Sequence, residues 1–400
     1  MKKNNLLLIL LILLFSCSES NKDSFPSNAN LISDSLFVDI DEAENLAFMI
    51  GMPNARTKSV NGRDFAKTVK EKLVVPDKAG ENAFYIINYQ EGGFVILAAD
   101  KRVDPILALS DEGSIPLDSY EHPSGLLEWF AELQEEITDI RTDETKQDLP
   151  IRKSWKLEEP QRISTFLIPG LGDELTDIVE CPVEETKAGP LLKTKWGQRG
   201  GFNDFCPVMN CSSQGGRALA GCVATATAQI MRYHEYPKTY NWGVMHNEFG
   251  GNETSRLIAD IGRAIGMDYG CEGSSAKSDK VPNVMKNTFK YTYSSTSDFN
   301  ITTVKHQIIN GLPVILAGGR KSGWWIFASY KDGHAWVADG YSYHVSWDFP
   351  DCNQGHSYEY LHMNWGWNGT YDGWYRSTDW TISADNSSYN YQKKMTTIKP

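Results

Sequence analysis

The chain has 400 residues, 41% of them hydrophobic and 22% charged, which fits a folded protein of two or more domains and excludes a disordered one. Its formal charge of −12 is unevenly spread: residues 36–190 carry 31 acids against 16 bases, and residues 191–400 carry 17 against 20. No Lys/Arg cluster supplies the basic patch that a nucleic-acid partner needs, so none is expected.

The opening stretch, MKKNNLLLILLILLFSCSES, sets two lysines before an apolar run from Leu6 to Phe15. The run is far shorter than the roughly 20 residues that span a bilayer and suits the h-region of a secretory signal. LFSC, residues 14–17, resembles a lipoprotein cleavage box. Residues 1–17 are therefore read as a lipoprotein-type signal peptide, with Cys17 lipidated at the bacterial cell surface or outer membrane. Plain cleavage and secretion is the alternative. Residues 18–35, rich in Ser, Asn and Asp, read as a tether.

Residues 36–141 read as a small α+β unit. DEAENLAFMI is an amphipathic helix, and AFYIINYQEGGFVILAAD is a hairpin turning near Gly92 and Gly93. SGLLEWFAELQEEITDI sets Leu126, Phe130, Leu133, Ile137 and Ile140 on one helical face, and most of its acids on the other. That acidic face is read as solvated, with electrostatic docking as the alternative. Residues 142–190 mix charge, Pro and Gly without a sustained period and read as a linker that carries a processing site, KAGP at 187–190 being a plausible region for the final cut. Residues 191–400, rich in Trp, Tyr and Gly, form a second domain with strand-like runs at LPVILAGG, HAWVADGYSYHV and YEYLHMNWGW. Besides Cys17, the cysteines are Cys181, Cys206, Cys211, Cys222, Cys271 and Cys352. Export permits disulfides, and the spacing leaves their pairing open. Cys206 and Cys211 lack the second ligand pair of a zinc site, and no metal or cofactor is expected.

GCVATATAQIMRYHEYP, residues 221–237, reads as a helix begun by Gly221 and stopped before Pro237. Cys222 then occupies its first turn, where unpaired N–H groups and the helix dipole favour a thiolate. Taken alone, it is either a nucleophile or a small buried hydrophobe. His334, which follows a glycine and opens a strand in DGHAWVADGY, is the candidate base. His362 is its rival, but on one strand it would share a face with Asn364. Asn364 is placed to accept a hydrogen bond from the imidazole and fix the ring, since a base needs an orienting third group. Trp365 would cover that bond. Gln198, in KTKWGQRGG, and the Cys222 N–H would form the oxyanion site, each such donor being worth roughly 3 kcal/mol when removed.

The order Gln, Cys, His, Asn-Trp, carried by WGQ, GCVATATAQIM, GHAWVADGY and NWGWNG, resembles the streptopain-type cysteine peptidases of family C10, and the hairpin near residue 90 resembles their inhibitory pro-domain. The resemblance implies a papain-like α+β peptidase domain behind a small α+β pro-domain, made as an inactive precursor. It implies Cys222 as nucleophile, His334 as general base then acid, Gln198 as oxyanion donor, and Asn364 with Trp365 as orienter and shield. The expected partners are protein or peptide substrates and the chain's own pro-domain. The sequence departs from the family pattern at the glycine pair before Phe202 and in MNCSSQGGRALAG, both beside the expected substrate surface. Two competing expectations are a Cys-His amidase acting on cell-wall peptides and an inactive surface-binding protein on a peptidase scaffold.

Overall fold

In the computed structural model the described residues are 35–51, 67–119, 121–155, 184–212, 215–318, 333–347, 355–377 and 393–400. The signal and tether, Cys17, Cys181, Cys352 and much of the expected linker lie outside them. Among the described residues, no helix is long and apolar enough to cross a membrane.

The N-terminal part runs α1 (Ile40–Ile50), β1 (Val69–Pro76), β2 (Asn82–Tyr89), β3 (Phe94–Ala98), β4 (Ile106–Ser110) and α2 (Ser124–Thr142). The Asp39 carboxylate accepts the Glu42 N–H at 2.8 Å and so caps α1, with Asp41 and Glu42 in its first turn where the dipole favours anions. Strands β2 and β3 are buried almost throughout, as their near-continuous apolar runs require. They turn through Gly92 and Gly93, whose φ values of 91° and 92° favour glycine. Leu126, Phe130, Leu133 and Ile137 of α2 are buried as their spacing predicts, and Phe130 meets Phe84 of β2 with ring centroids 5.4 Å apart.

The stretch read as a linker is more ordered than its composition implies. It contains α3 (Leu149–Ser154) and β5 (Glu184–Ala188), and β5 pairs antiparallel with residues 341–345 further on. Charged, Pro-containing sequence lacks a period when its partner is distant, and backbone pairing supplied from outside then decides the conformation.

The C-terminal part continues with β6 (Val208–Cys211), β7 (Gly216–Arg217), α4 (Cys222–His234), α5 (Asn252–Ile265), α6 (Val281–Asn287), β8 (Tyr293–Asp298), α7 (Ile301–Ile309), β9 (Val314–Gly318), β10 (His334–Trp347), β11 (Gly355–Asn364), β12 (Gly373–Arg376) and β13 (Lys394–Lys399). Helix α4 packs against α5 and against β10. The main sheet runs β1-β2-β3-β4-β12-β11-β10-β9-β13-β8, with β5 alongside β10. It therefore passes without a break from the N-terminal part into the C-terminal part, through antiparallel pairing of β4 with β12 at Leu109–Trp374 and Ala108–Tyr375.

Cys211 and Cys271 form a disulfide across 60 residues of chain. The bridge steadies the loop around 268–275, which holds the turn leading into α4: the Leu219 N–H donates to Gly270 O at 3.0 Å and the Ser274 hydroxyl donates to Leu219 O at 2.7 Å. A closed loop of this length is worth about 4 kcal/mol in the chain-entropy account. Replacing both cysteines by serine is expected to lower the unfolding free energy by roughly 2–4 kcal/mol in urea titration of the full chain. An unchanged midpoint would show the bridge to be without consequence for stability.

Candidate active site

Helix α4 begins at Cys222 itself, after Gly221 at a φ of 88°. A side chain at Gly221 would run into Met267, so glycine serves both the turn and the close approach. Cys222 is half-buried, and its sulfur faces the N–H groups of Ala335, Val223 and Cys222. Ala335 follows His334, so the start of α4, which carries the thiol, abuts the start of β10, which carries the imidazole. His334 is 6% exposed. Its Nε2 lies 3.1 Å from the carbonyl oxygen of Trp365, which only accepts; Nε2 therefore carries the proton and Nδ1 is left as the basic nitrogen. The ring stacks on Trp336 at 5.9 Å and 12° and on Trp365 at 6.4 Å and 23°.

Asn364 departs from expectation. Its Oδ1 accepts from Gln229 Nε2 at 2.9 Å and from the Gly366 N–H at 3.2 Å, and its Nδ2 donates to Thr194 O at 2.7 Å. The imidazole is held by the neighbouring main-chain carbonyl instead. Trp365, 1% exposed, lies over the ring as a covering side chain would. Gln198 is half-buried beside the turn that leads into Cys222, its carbonyl accepting from the Ala220 N–H at 3.1 Å. His362, the rival base, is committed elsewhere: its Nδ1 pairs with Asp339 Oδ1 at 2.7 Å. Burial alone would lower its pKa, but Asp339 raises it overall.

Three residues near the site escaped sequence reasoning. Trp336 sat unnoticed inside an apolar strand. Asp372, half-buried, accepts the Trp365 N–H at 2.9 Å; burial pushes its carboxyl up to about 7 against the pull of that bond and of His362. Gln229 had a readable signal: seven residues beyond Cys222 on a helix, it lies on the same face two turns away.

The N-terminal part sits on this site. Gly125, at the start of α2, packs so closely that a Cβ there would lie 2.6 Å from the Trp336 ring and 3.0 Å from that of Trp365. Tyr371 Oη lies 3.0 Å from His122 Nδ1 and donates to Glu121 O at 3.1 Å. The acidic face of α2, read as solvated, is partly an interface. Glu132 pairs with Lys393, and Glu136 pairs with Arg376 at 2.5 Å, Arg376 being 6% exposed. Glu112 with Lys195 and Glu121 with Arg199 add pairs nearer the surface, which are worth less. Burial pushes the Cys222 thiol up, outweighing the three N–H groups that favour its anion, and lowers His334 to about 4. Burial thus disfavours the charged form of each group.

The Peptidase C10 family profile matches residues 196–253 and 238–375, and the Spi protease inhibitor profile matches residues 36–137. The two profiles together make the chain a cysteine peptidase precursor of the C10 kind, with an inhibitor domain ahead of the peptidase as in a zymogen. It is similar to streptopain of Streptococcus pyogenes, with 27% identity over 420 aligned positions that cover 90% of this chain and 91% of the relative. It is also similar to the thiol protease/hemagglutinin PrtT of Porphyromonas gingivalis, with 24% identity over 73% of this chain and 33% of that protein. A fragment of Prevotella intermedia prointerpain A shares the fold at a TM-score of 0.55 and 20% identity, covering 83% of this chain and 98% of the fragment.

Proposed function

We propose that the C10 precursor is an exported endopeptidase zymogen that cleaves peptide bonds through a thioester on Cys222. The observation that carries this reading is the junction of α4 with β10, where the thiol faces the N–H of the residue after His334 and the imidazole's Nε2 is tied to a main-chain carbonyl. Once the pro-domain leaves, water reaches the pair and the burial that disfavours its charged forms is relieved. The helix-terminal N–H groups then favour the thiolate and His334 takes up the proton on Nδ1. The sulfur attacks the scissile carbonyl carbon, and the oxyanion is held by the Cys222 N–H and the Gln198 amide. His334 delivers its Nδ1 proton to the leaving amine, then draws a proton from the water that opens the thioester and restores the thiol.

Several finer features of this reading come from the sequence. The signal at residues 1–17 exports the chain, with Cys17 as lipid anchor or with release after simple cleavage. Maturation cuts within residues 142–190, separating a pro-domain at 36–141 from a catalytic domain at 191–400. The exposed residues 185–187 of β5 are an extended segment that a protease cleft can take once it peels from β10. Protein or peptide chains are the substrates.

The test is mass spectrometry of the purified precursor over time, followed by an epoxide-type thiol-peptidase probe and peptide mapping. The expected result is a cut within 142–190, then one label on Cys222 that appears only after cutting. A label on another residue, or none on the cut protein once its N-terminal fragment has been removed, overturns the reading.

A further inference from the structure

Gln229 is fully buried in α4, on the same helical face as Cys222, and belongs to no part of the mechanism above. Its Oε1 accepts the Trp196 N–H at 3.3 Å, and its Nε2 donates to Asn364 Oδ1 at 2.9 Å. The orientation of both amides is imposed by backbone groups of one polarity: the N–H of Trp196 and of Gly366 can only donate, and the Thr194 carbonyl can only accept. Asn364 Oδ1 in turn holds the Gly366 N–H at 3.2 Å. That N–H and the Trp365 carbonyl belong to one peptide group, and the carbonyl is the acceptor for His334 Nε2 at 3.1 Å.

The chain of contacts therefore runs from the nucleophile's helix through two side-chain amides and one peptide plane to the imidazole. We propose that Gln229 is a positioning residue for His334, fixing the tilt and height of the Trp365–Gly366 peptide and hence of the ring that rests on it. The same amide ties in Trp196, two residues before Gln198, so a single side chain sets the spacing of nucleophile, base and oxyanion donor. Hydrogen bonds in such a series polarise one another, and each amide has its polarity dictated, so no alternative arrangement satisfies all the partners. Loss of the Gln229 amide leaves the Asn364 oxygen and the Trp196 N–H each short of a partner at a buried position.

This inference rests on the Cys222–His334 reading, and its test separates the two. Full-length precursors of wild type, Gln229→Met, Gln229→Glu and Cys222→Ala are converted with a tagged wild-type enzyme that is then removed. For each, kcat and KM on a peptide substrate are measured across the acid and neutral range, alongside the thermal midpoint. Gln229→Met is expected to lose kcat on the order of 10- to 100-fold with KM unchanged, as misplacement of a reacting group does. Gln229→Glu is expected to work at acid pH, where its carboxylic O–H serves Asn364 and its carbonyl serves Trp196. It fails as pH rises and it ionises, giving a limb that wild type lacks. If Gln229→Met does not fold, the limb in Gln229→Glu decides alone. A wild-type kcat in Gln229→Met, or a wild-type profile in Gln229→Glu, overturns the proposal. Activity in Cys222→Ala would instead overturn the reading beneath it.

Discussion

Precursor carrying Cys222→Ala accumulates uncut and, after conversion in trans, shows peptidase activity lower by at least about 10⁴-fold, the scale on which removal of a covalent nucleophile acts. Cys206 cannot replace the missing thiol. It is the other free cysteine among the described residues, is 1% exposed, and burial pushes its pKa to about 11. The helix start tolerates the exchange, because alanine is a good helix former and keeps the Cβ of a residue that is only partly buried at the edge of the core. The variant should thus fold, bind its pro-domain and keep its thermal midpoint. Conversion of the variant precursor by itself, followed on a gel over hours, is the outcome incompatible with Cys222 as nucleophile.

The second large effect is expected at a residue remote from the chemistry in sequence. Gly125→Leu places a branched side chain where even a Cβ would lie 2.6 Å from the Trp336 ring. Overpacking of this kind costs about 1–3 kcal/mol, and 1.4 kcal/mol is tenfold in an equilibrium constant. The strain falls on the seat of α2 against the indoles that flank His334, so it is relieved by unseating the pro-domain. Self-conversion should therefore be roughly tenfold faster or more. The mature enzyme provides the control: with the pro-domain gone, its sequence and its kcat/KM equal those of wild type. A conversion rate equal to wild type would show that α2 does not hold the inhibited state at this point.

Much of the arrangement is legible in the residues. The turn of Gly221 into an Ala-rich helix, the apolar alternation after His334 and the amphipathic spacing of α2 are local patterns, and each forms the element its period predicts. What escapes is set by distant chain. β5 is a strand because β10 lies beside it, and nothing in EETKA announces that. The acids of α2 look like a solvent face until Arg376 and Lys393 arrive from the far end of the sequence. Asn364 was identified as a supporting residue, but the group that touches His334 is a main-chain carbonyl, which every residue possesses and no side-chain pattern marks. Gln229 reads as an ordinary helix former because its partners are one backbone N–H and one amide 135 positions away.

The short union of β4 with β12 bears on how activation becomes permanent. Cutting the chain between the two halves does not by itself part them, since backbone groups still satisfy one another across the seam. A departing inhibitor would bare a row of unmatched donors and acceptors on both fragments, a template for reattachment. Commitment therefore belongs to whichever event destroys the liberated fragment, and a nicked but undigested precursor should stay silent until its former lid is shredded or diluted away.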